Sequence, residues 1–318
     1  MRKALDSKAV GCMLLICTIW ALQQIVIKAT AEDFTPIFQL GLRSGGAAVL
    51  VLALMLWRGE GIVVRDGSLP AGLLVGFLFS LEFLLVGEGL RHTSASHMVV
   101  FLYTAPIFAA LGLHLRLPAE RLVPLQWLGI VLAFGGIAGA FLWRVPGPTT
   151  AWTAGVVWGD FLGLMGGLLW GATTVVVRCS RLSTVTATRT LLYQLVCAFV
   201  LLTCVAIATG QAHFNPTPMV WSSLAFQIVV VSFASFLLWF WLLRQYLASR
   251  LGAFSFLTPL LGVAFGALLL GERIEPSFAL AAVPVLLGIV LVSAHATLTQ
   301  GLRRLLRRSP GAEPVSRV

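Results

Sequence analysis

Ten apolar segments of about 20 residues each run through the chain and are joined by short polar connections. A helix needs about 20 apolar residues to cross the ~30 Å hydrocarbon core of a bilayer. Hydropathy places the segments at 9–29, 34–57, 69–90, 93–115, 122–143, 155–178, 185–209, 218–242, 249–270 and 276–297. Because 58% of the residues are hydrophobic and only 11% are charged, the sequence predicts an all-α integral membrane protein with ten transmembrane helices.

The second half of the chain repeats features of the first half. Trp20 recurs as Trp170, 150 positions later, and Pro106 recurs as Pro259, 153 positions later. Each half contains five apolar segments, and five is an odd number. A duplicated unit with an odd number of spans must insert its second copy upside down, so we expect two inverted five-helix repeats. Many secondary transporters build a central site in this way.

The repeat predicts the division of the chain. The segment VPGPTTAWT, rich in Pro and Thr, is the natural linker between the halves. The expected parts are a cytoplasmic N-terminus at 1–8, a first repeat at 9–144, a periplasmic linker at 145–154, a second repeat at 155–297 and a basic cytoplasmic tail at 298–318.

Lys and Arg are distributed very unequally between the two sides of this arrangement. If the N-terminus lies inside, 17 of them fall on the inner side and 4 on the outer side, with Arg43 left within a segment. Cytoplasmic connections carry the excess of positive charge in membrane proteins. Both termini are therefore predicted to be cytoplasmic.

Two ionisable side chains lie within predicted spans, where each one costs several kcal/mol and needs a reason. Arg43 lies roughly 13 Å and Glu82 roughly 12 Å from the outer surface, at the helical rise of about 1.5 Å per residue. The matching depths allow an ion pair. This pair either fixes the second helix against the third or forms a charged site that binds a substrate carboxylate or carries a proton.

Two tryptophans lie near the predicted midplane, where interfacial anchoring cannot explain them. Trp20 and Trp170 are each roughly 17 Å deep in their segments. Gln24 and Thr174 follow one helical turn later and share a face with them. An aromatic ring beside a hydrogen-bonding side chain suits an amphipathic small molecule. The alternative is helix packing between the repeats.

Two prolines fall near mid-membrane in the fourth and ninth segments. Pro106 and Pro259 are expected to kink their helices and to free carbonyl groups that must face protein or a polar cavity. Tyr103 precedes Pro106 by three residues and is predicted to line that cavity. Tyr193 and Trp239, amphipathic side chains within the seventh and eighth segments, complete the predicted substrate site.

A histidine near the outer end of the fourth segment is a second candidate for proton coupling, besides Glu82. Histidine is a common proton carrier in proteins, and a hydrogen-bonded interfacial histidine is the alternative for His97. Asp160 lies close to the predicted outer surface and is expected to be solvated.

Several classes of site are not expected. The five cysteines lie in or beside apolar segments without a CxxC pair, so neither a metal site nor a disulfide framework is predicted. The net charge of +10 does not indicate nucleic-acid binding, because the basic residues lie between apolar segments and in the tail. HExxH and GxSxG motifs are absent, so no catalytic residues and no cofactor are expected.

Several of these features together resemble a known family. They are a Trp in the first helix with a basic residue at that helix end, an Arg in the second helix, and the stretches TAPIFAALG and LTPLLGVAFGALLLGERIEP. The chain resembles the drug/metabolite transporter superfamily, in its EamA-type branch with two EamA repeats. Where the first repeat usually ends its apolar run in GE, this chain has LHLRLPAER.

The resemblance implies ten helices, both ends in the cytoplasm, and a central cavity that opens alternately to each side. Bacterial members are mostly inner-membrane carriers that export amino acids, amines and other small metabolites. We therefore expect a secondary transporter of a small amphipathic metabolite in the bacterial inner membrane, acting in export. The alternatives are a proton-coupled uptake carrier, a lipid-intermediate flippase and, least favoured, a membrane enzyme. The expected partners are the small-molecule substrate, the lipid bilayer and protons, and the sequence is compatible with a monomer.

Overall fold

The computed structural model describes residues 7–61, 66–118, 121–142, 154–245, 255 and 257–308. Side chains at 140–142, 240, 243–245 and 293–308 are not described. Residues 145–153 of the predicted linker, the first eight residues of the predicted segment 249–270 apart from 255, and the ends at 1–6 and 309–318 lie outside the described part.

Helices make up almost all of the described chain. They are α1 (Ser7–Ala29), α2 (Pro36–Trp57), α3 (Leu69–His92), α4 (Ala95–Leu102), α5 (Ala105–Arg116), α6 (Pro124–Leu142), α7 (Ala154–Cys179), α8 (Ala187–Ala208), α9 (Pro218–Ala225), a π-helix (Phe226–Ser235), α10 (Phe236–Gln245), α11 (Leu257–Leu269) and α12 (Pro276–Arg308). A 3₁₀ turn at Arg181–Ser183 links α7 to α8. The predicted all-α class is confirmed.

Seven spans in the described part are long and apolar enough to cross a membrane. The fourth of them, Ala95–Arg116, combines α4 and α5, and the seventh, Pro218–Trp239, begins at α9 and includes the π-helix. Three shorter apolar helices, Pro124–Gly139, Leu257–Leu269 and Pro276–Val292, coincide with the remaining predicted segments. The count of ten spanning helices stays a prediction. The last helix extends to Arg308, beyond the predicted boundary at residue 297.

The fourth predicted segment is broken at Tyr103 and Thr104, between α4 and α5. Pro106 lies in the first turn of α5, where its missing N–H costs no intrahelical bond. The freed carbonyl of Phe101 accepts hydrogen bonds from the Thr104 hydroxyl at 2.6 Å and from the Thr104 N–H at 3.2 Å. The helix is therefore interrupted next to Pro106, and protein groups satisfy the Phe101 carbonyl. Pro259 is buried in the first turn of α11.

Helix α7 approaches this break through a stripe of glycines spaced four residues apart. A Cβ atom on Gly159 would meet Thr93, and one on Gly163 would meet Met98 and Phe101. A Cβ on Gly167 would lie 2.7 Å from the Thr104 hydroxyl and 2.9 Å from the Phe101 carbonyl oxygen. Small residues at such spacing let membrane helices pack backbone to backbone. The stripe holds α7 directly against the break between α4 and α5.

The ends of α1, α3 and α11 meet the starts of α4, α7 and α12 at one end of the bundle, named here the Lys28 end. Lys28 donates to the carbonyls of Leu90 and Thr93. Asp160, in the second turn of α7, accepts from the Thr93 hydroxyl. Helix α1 thus runs toward this end, and α7 runs away from it.

The opposite end, named the Arg189 end, joins the connection before α3 to the start of α8. Asp66 accepts hydrogen bonds from the hydroxyl and N–H of Ser68 and contacts the Arg189 guanidinium. These hydrogen bonds, with the nearby positive charge, hold the pKa of Asp66 below its usual value. Arg181 also donates to the Asp66 carbonyl at 2.8 Å. The connection between α2 and α3 is thereby tied to the second half of the chain.

Replacing Gly167 with Ala should destabilise the fold, because the added methyl group collides with backbone atoms of the helix break. Overpacking of this kind costs about 1–3 kcal/mol, so the melting temperature in detergent should fall by several degrees. The matched control is Gly135→Ala in α6, where no atom lies within 4 Å of the added Cβ. Equal melting temperatures for the two variants would contradict close packing of α7 on the break.

Candidate functional site

The π-helix brings two polar side chains to the centre of the bundle. Gln227, near its start, donates to the Gln23 carbonyl at 3.3 Å and accepts from Nη1 of Arg43 at 3.2 Å. Ser235, at its end, accepts from the Trp20 indole N–H at 2.9 Å. Stretches of π-helix are rare and occur frequently at functional sites. This one connects α1 and α2 to a single polar cluster.

Arg43 is the largest fully buried side chain of this cluster. Its exposed fraction is 0%, and its guanidinium lies over the Phe83 ring at 4.5 Å from the ring centroid. The aromatic face attracts the cation, and Gln227 binds Nη1. The other two guanidinium nitrogens, Nε and Nη2, are buried and have no hydrogen-bond partner. A buried cation is thus held in a fixed orientation with two donors unused.

Glu82 faces Arg43 without contacting it. Glu82 has an exposed fraction of 4%, and its carboxyl interacts electrostatically with the Arg43 guanidinium. Its Oε2 atom and the free guanidinium donors of Arg43 are each left without a hydrogen bond. The predicted proximity of the two charges is therefore present, whereas the contact ion pair that would fix one helix to the other is not among the described interactions. The site therefore contains a buried acidic side chain and a buried basic side chain that are not in contact.

The two midplane tryptophans each have an aromatic partner. Trp20 packs edge-on against Trp239 at 5.6 Å between ring centroids, with Phe236 at 6.1 Å. Trp170 packs edge-on against Tyr103 at 5.2 Å. The aromatic side chains of the predicted site therefore form two pairs, one on each repeat's tryptophan.

The polar partners predicted for these tryptophans differ in their surroundings. Gln24 is buried, and its Oε1 atom has no hydrogen-bond partner. Thr174 is half-buried and donates to the Trp170 carbonyl of its own helix at 3.2 Å. Gln24 thus has unused hydrogen-bonding capacity, and the hydroxyl donor of Thr174 is already satisfied.

Tyr193 does not share contacts with the central cluster. Its ring packs against Gly72 in the first turns of α3, and its hydroxyl lies 3.5 Å from that of Ser68 near the Arg189 end. The sequence missed Phe83 and the carbonyl of Gln23 as parts of the cluster. Gln227 had a detectable signal, a polar side chain within an apolar segment. Nothing in the sequence indicated the π-helix.

The Lys28 end carries a second polar cluster around Asp160. This carboxylate is fully buried, accepts from the Thr93 hydroxyl and lies 3.0 Å from Nδ1 of His97. The expectation that Asp160 is solvated is wrong, because the start of α4 and the end of α3 cover it. His97 is itself buried and stacks on Phe278 at 3.7 Å between ring centroids. His97 therefore has the geometry of the second alternative, a histidine held by a hydrogen bond.

Glu272 closes the same end by capping α4. Its carboxylate accepts from the N–H groups of Ala95 at 2.7 Å and Ser96 at 3.0 Å, and from the Ser96 hydroxyl. Free N–H groups at a helix start favour a negative charge. Glu272 follows α11, so this contact fastens the second half of the chain to the start of α4.

Metal chemistry has no visible site in this part of the molecule. Across the residues that the structure describes, no three His, Cys, Asp or Glu side chains are grouped so that they could hold a metal ion.

The sequence profile of the EamA-like transporter family matches this chain twice, at residues 7–142 and 157–294. The chain belongs to the EamA-like transporter family. The two matches coincide with the two halves that the repeated Trp and Pro positions predicted, and the predicted membership of the drug/metabolite transporter type is confirmed.

Relatives of this EamA-like transporter share the same general description. An uncharacterized transporter of Synechocystis sp. is 25% identical, over 90% of this chain and 89% of its own length. An uncharacterized transporter of Archaeoglobus fulgidus is 24% identical, over 91% and 99%. YedA of Escherichia coli, named an uncharacterized inner membrane transporter, is 25% identical, over 89% and 90%.

A solved crystal structure matches the fold with a TM-score of 0.65 and 20% sequence identity, over 96% of this chain and all of the other. The fold is thus shared along nearly the whole length. As a member of the EamA-like family, the chain is a membrane transporter.

Replacing Glu272 with Gln should loosen the Lys28 end, because the amide accepts fewer and weaker hydrogen bonds from the start of α4. A single cysteine at Gln24, introduced into a chain without native cysteines, reports on access to the site from this end. A membrane-impermeant maleimide added on the side of the Lys28 end should label it several times faster in the Glu272→Gln variant.

The matched control is Glu88→Gln, at the same end. Glu88 binds Arg91 and His92 of its own helix and accepts from Gln211 after α8 at 3.5 Å, and among the described interactions it has no bond to α4. Its labelling rate should equal that of the parent. If both variants labelled alike, Glu272 would not hold this end closed.

Proposed function

We propose that this EamA-like transporter is a secondary carrier that moves a small amphipathic metabolite across the bacterial inner membrane by alternating access, with export as its direction. One observation carries the proposal. Fully buried polar atoms without partners, on Arg43 and Glu82, lie in helices that are long and apolar enough to cross a membrane, and the Phe83 ring lies against the guanidinium. Such groups are costly in a membrane and are typical of transport paths.

The directions of the helices support an inverted repeat. Helix α1 runs toward the Lys28 end and its counterpart α7 runs away from it. The packing pairs also correspond. Helix α1 packs on α11 as α7 packs on α5, and the π-helix packs on α2 as α3 packs on α8. An inverted pair of units around a central site is the frame on which alternating access depends.

The Lys28 end supports a conformation that is closed on one side. Glu272, Asp160 and Lys28 each bind a group at the junction of α3 and α4. By the count of basic residues this is the outer side. In this arrangement the substrate reaches the site from the cytoplasm, and release outside requires these contacts to break.

The proposed function is tested by comparing the metabolites in the medium of bacterial cells with and without the protein. A small set of compounds should accumulate outside in its presence. Depletion of a compound from the medium would instead establish uptake. No difference, with the protein present in the membrane, would contradict transport of a soluble metabolite and leave a lipid intermediate as the cargo to examine.

Replacing Trp20 with Ala should reduce this accumulation severalfold, because the indole forms the aromatic wall beside Arg43's cluster through Ser235 and Trp239. The control is Trp158→Ala, where the ring is 50% exposed and stacks on Phe161. Membrane abundance and monodispersity of both variants are measured in parallel. Equal losses of transport and folding in Trp20→Ala would favour a packing role for this residue.

A further inference from the structure

We propose that the substrate carries a carboxylate that binds bidentately to Nε and Nη2 of Arg43, and that a proton on Glu82 balances its charge. This inference rests on the proposed transport function and adds the chemical class of the substrate and its coupling. It follows from which atoms of the two buried side chains are used and which are left free.

The free donors of Arg43 form one edge of the guanidinium. Nη1, on the other edge, is bound to Gln227. The N–H groups of Nε and Nη2 point in parallel along the second edge, and both atoms are buried without a partner. Two parallel N–H groups match the two oxygens of a carboxylate, which is why Arg rather than Lys recognises planar anions. The unused edge is therefore shaped for a bidentate anion.

The plane of this edge is fixed before any ligand arrives. Phe83 lies against the guanidinium at 4.5 Å, and Gln227 is itself anchored to the Gln23 carbonyl at 3.3 Å. Three elements, α1, α3 and the π-helix, thus hold one side chain of α2. A donor pair held in this way loses little conformational freedom when it binds an anion.

Charge balance then defines the role of Glu82. The Arg43 cation is permanent, and an uncompensated charge in a buried site is unfavourable. In the proposed cycle the empty site holds ionised Glu82, which the Arg43 cation favours over the protonated form. A bound carboxylate would place two negative charges against one positive charge. Protonation of Glu82 removes the excess, so the loaded and empty sites are both neutral.

Few charged or titratable groups among the described residues lie close enough to Glu82 to take part in its protonation. Arg43 from α2 and Tyr103 from the break between α4 and α5 interact with it electrostatically. Among the described residues, the titratable groups of the other helices that pack on α3 have other partners. Asp160 of α7 and His97 of α4 bind each other at the Lys28 end. In α8, Tyr193 packs on Gly72 and Cys197 packs on Gly76. The proton on Glu82 and the carboxylate on Arg43 therefore belong to the same site.

The same balance distinguishes a carboxylate from other anions. A phosphate monoester carries close to two charges at neutral pH, and one proton on Glu82 leaves an excess. A monocarboxylate leaves none. The transported species is therefore a monocarboxylic acid with an apolar body that fits the aromatic pairs. A proton enters Glu82 from the side where the acid binds and leaves on the side where it is released.

The first experiment uses the cell's own metabolites as the probe. Compounds whose extracellular level depends on the protein are identified by mass spectrometry and grouped by functional group. Carboxylic acids should predominate. If amines or neutral compounds appear instead, this inference fails while transport itself stands. If no compound changes, the transport proposal fails as well, so the two outcomes are distinct.

The second experiment uses the purified full-length protein in liposomes, with the acid identified in this way and a pH dye inside. Internal acidification should accompany uptake of the acid, and the rate should not respond to an imposed membrane voltage. In Glu82→Gln, which imitates the protonated side chain, exchange of acid for acid should continue while proton movement is lost. Proton movement at the parent rate in this variant would overturn the role of Glu82.

Arg43→Lys keeps the charge and removes the bidentate edge, so exchange should fall roughly tenfold or more. The control is Arg91→Lys, whose side chain is exposed and binds Glu88. If Arg43→Lys does not fold, Gln227→Leu is the second variant, because it releases the guanidinium from its fixed plane and should raise KM. Parent-like exchange in a folded Arg43→Lys, or an unchanged KM in Gln227→Leu, would refute the bidentate site.

Discussion

The central site is organised around the burial of one permanent positive charge within the membrane. Arg43 has no exposed surface, and the desolvation of such a group costs several kcal/mol unless the protein replaces its water. This replacement is incomplete. The aromatic face of Phe83 and one amide oxygen of Gln227 contact only part of the guanidinium. What remains unsatisfied is a donor pair on one edge. Helix α3 and the π-helix are arranged around α2 so that they hold this cation in place.

The two repeats share a frame but use equivalent positions differently. An offset of 153 residues relates Glu82 to Ser235, and an offset of 150 relates Arg43 to Tyr193. Ser235 binds the Trp20 indole, whereas Tyr193 packs against Gly72 near the Arg189 end. The second copy therefore supplies hydrogen bonds and aromatic surface, and both charges of the central site come from the first. Duplication accounts for the scaffold, and later divergence accounts for the chemistry.

Sequence reasoning predicted the parts of this structure that depend on hydropathy and periodicity. The all-α class follows from the length and number of the apolar segments, whereas the count of ten spanning helices and the kinks at Pro106 and Pro259 stay predictions. Burial of Asp160 was not predictable, because it depends on how the ends of α3 and α4 fold over α7. The same holds for the orientation of Arg43, which is set by Phe83 and by a π-helix that has no local signature. Contacts between distant segments require the packing, which a linear pattern does not contain.

The short helix α4 connects the Lys28 end to the aromatic side chains of the predicted site. At its start, Glu272 binds the N–H groups of Ala95 and Ser96. At its end, Tyr103 packs on Trp170. Its eight residues span about 12 Å at the helical rise, and the break after Leu102 separates it mechanically from α5. A rigid segment with a contact at each end transmits displacement from one to the other. In the proposed alternating-access mechanism, a substrate that moves Trp170 or Tyr103 therefore pulls on the contact with Glu272, and the break allows α4 to move without α5.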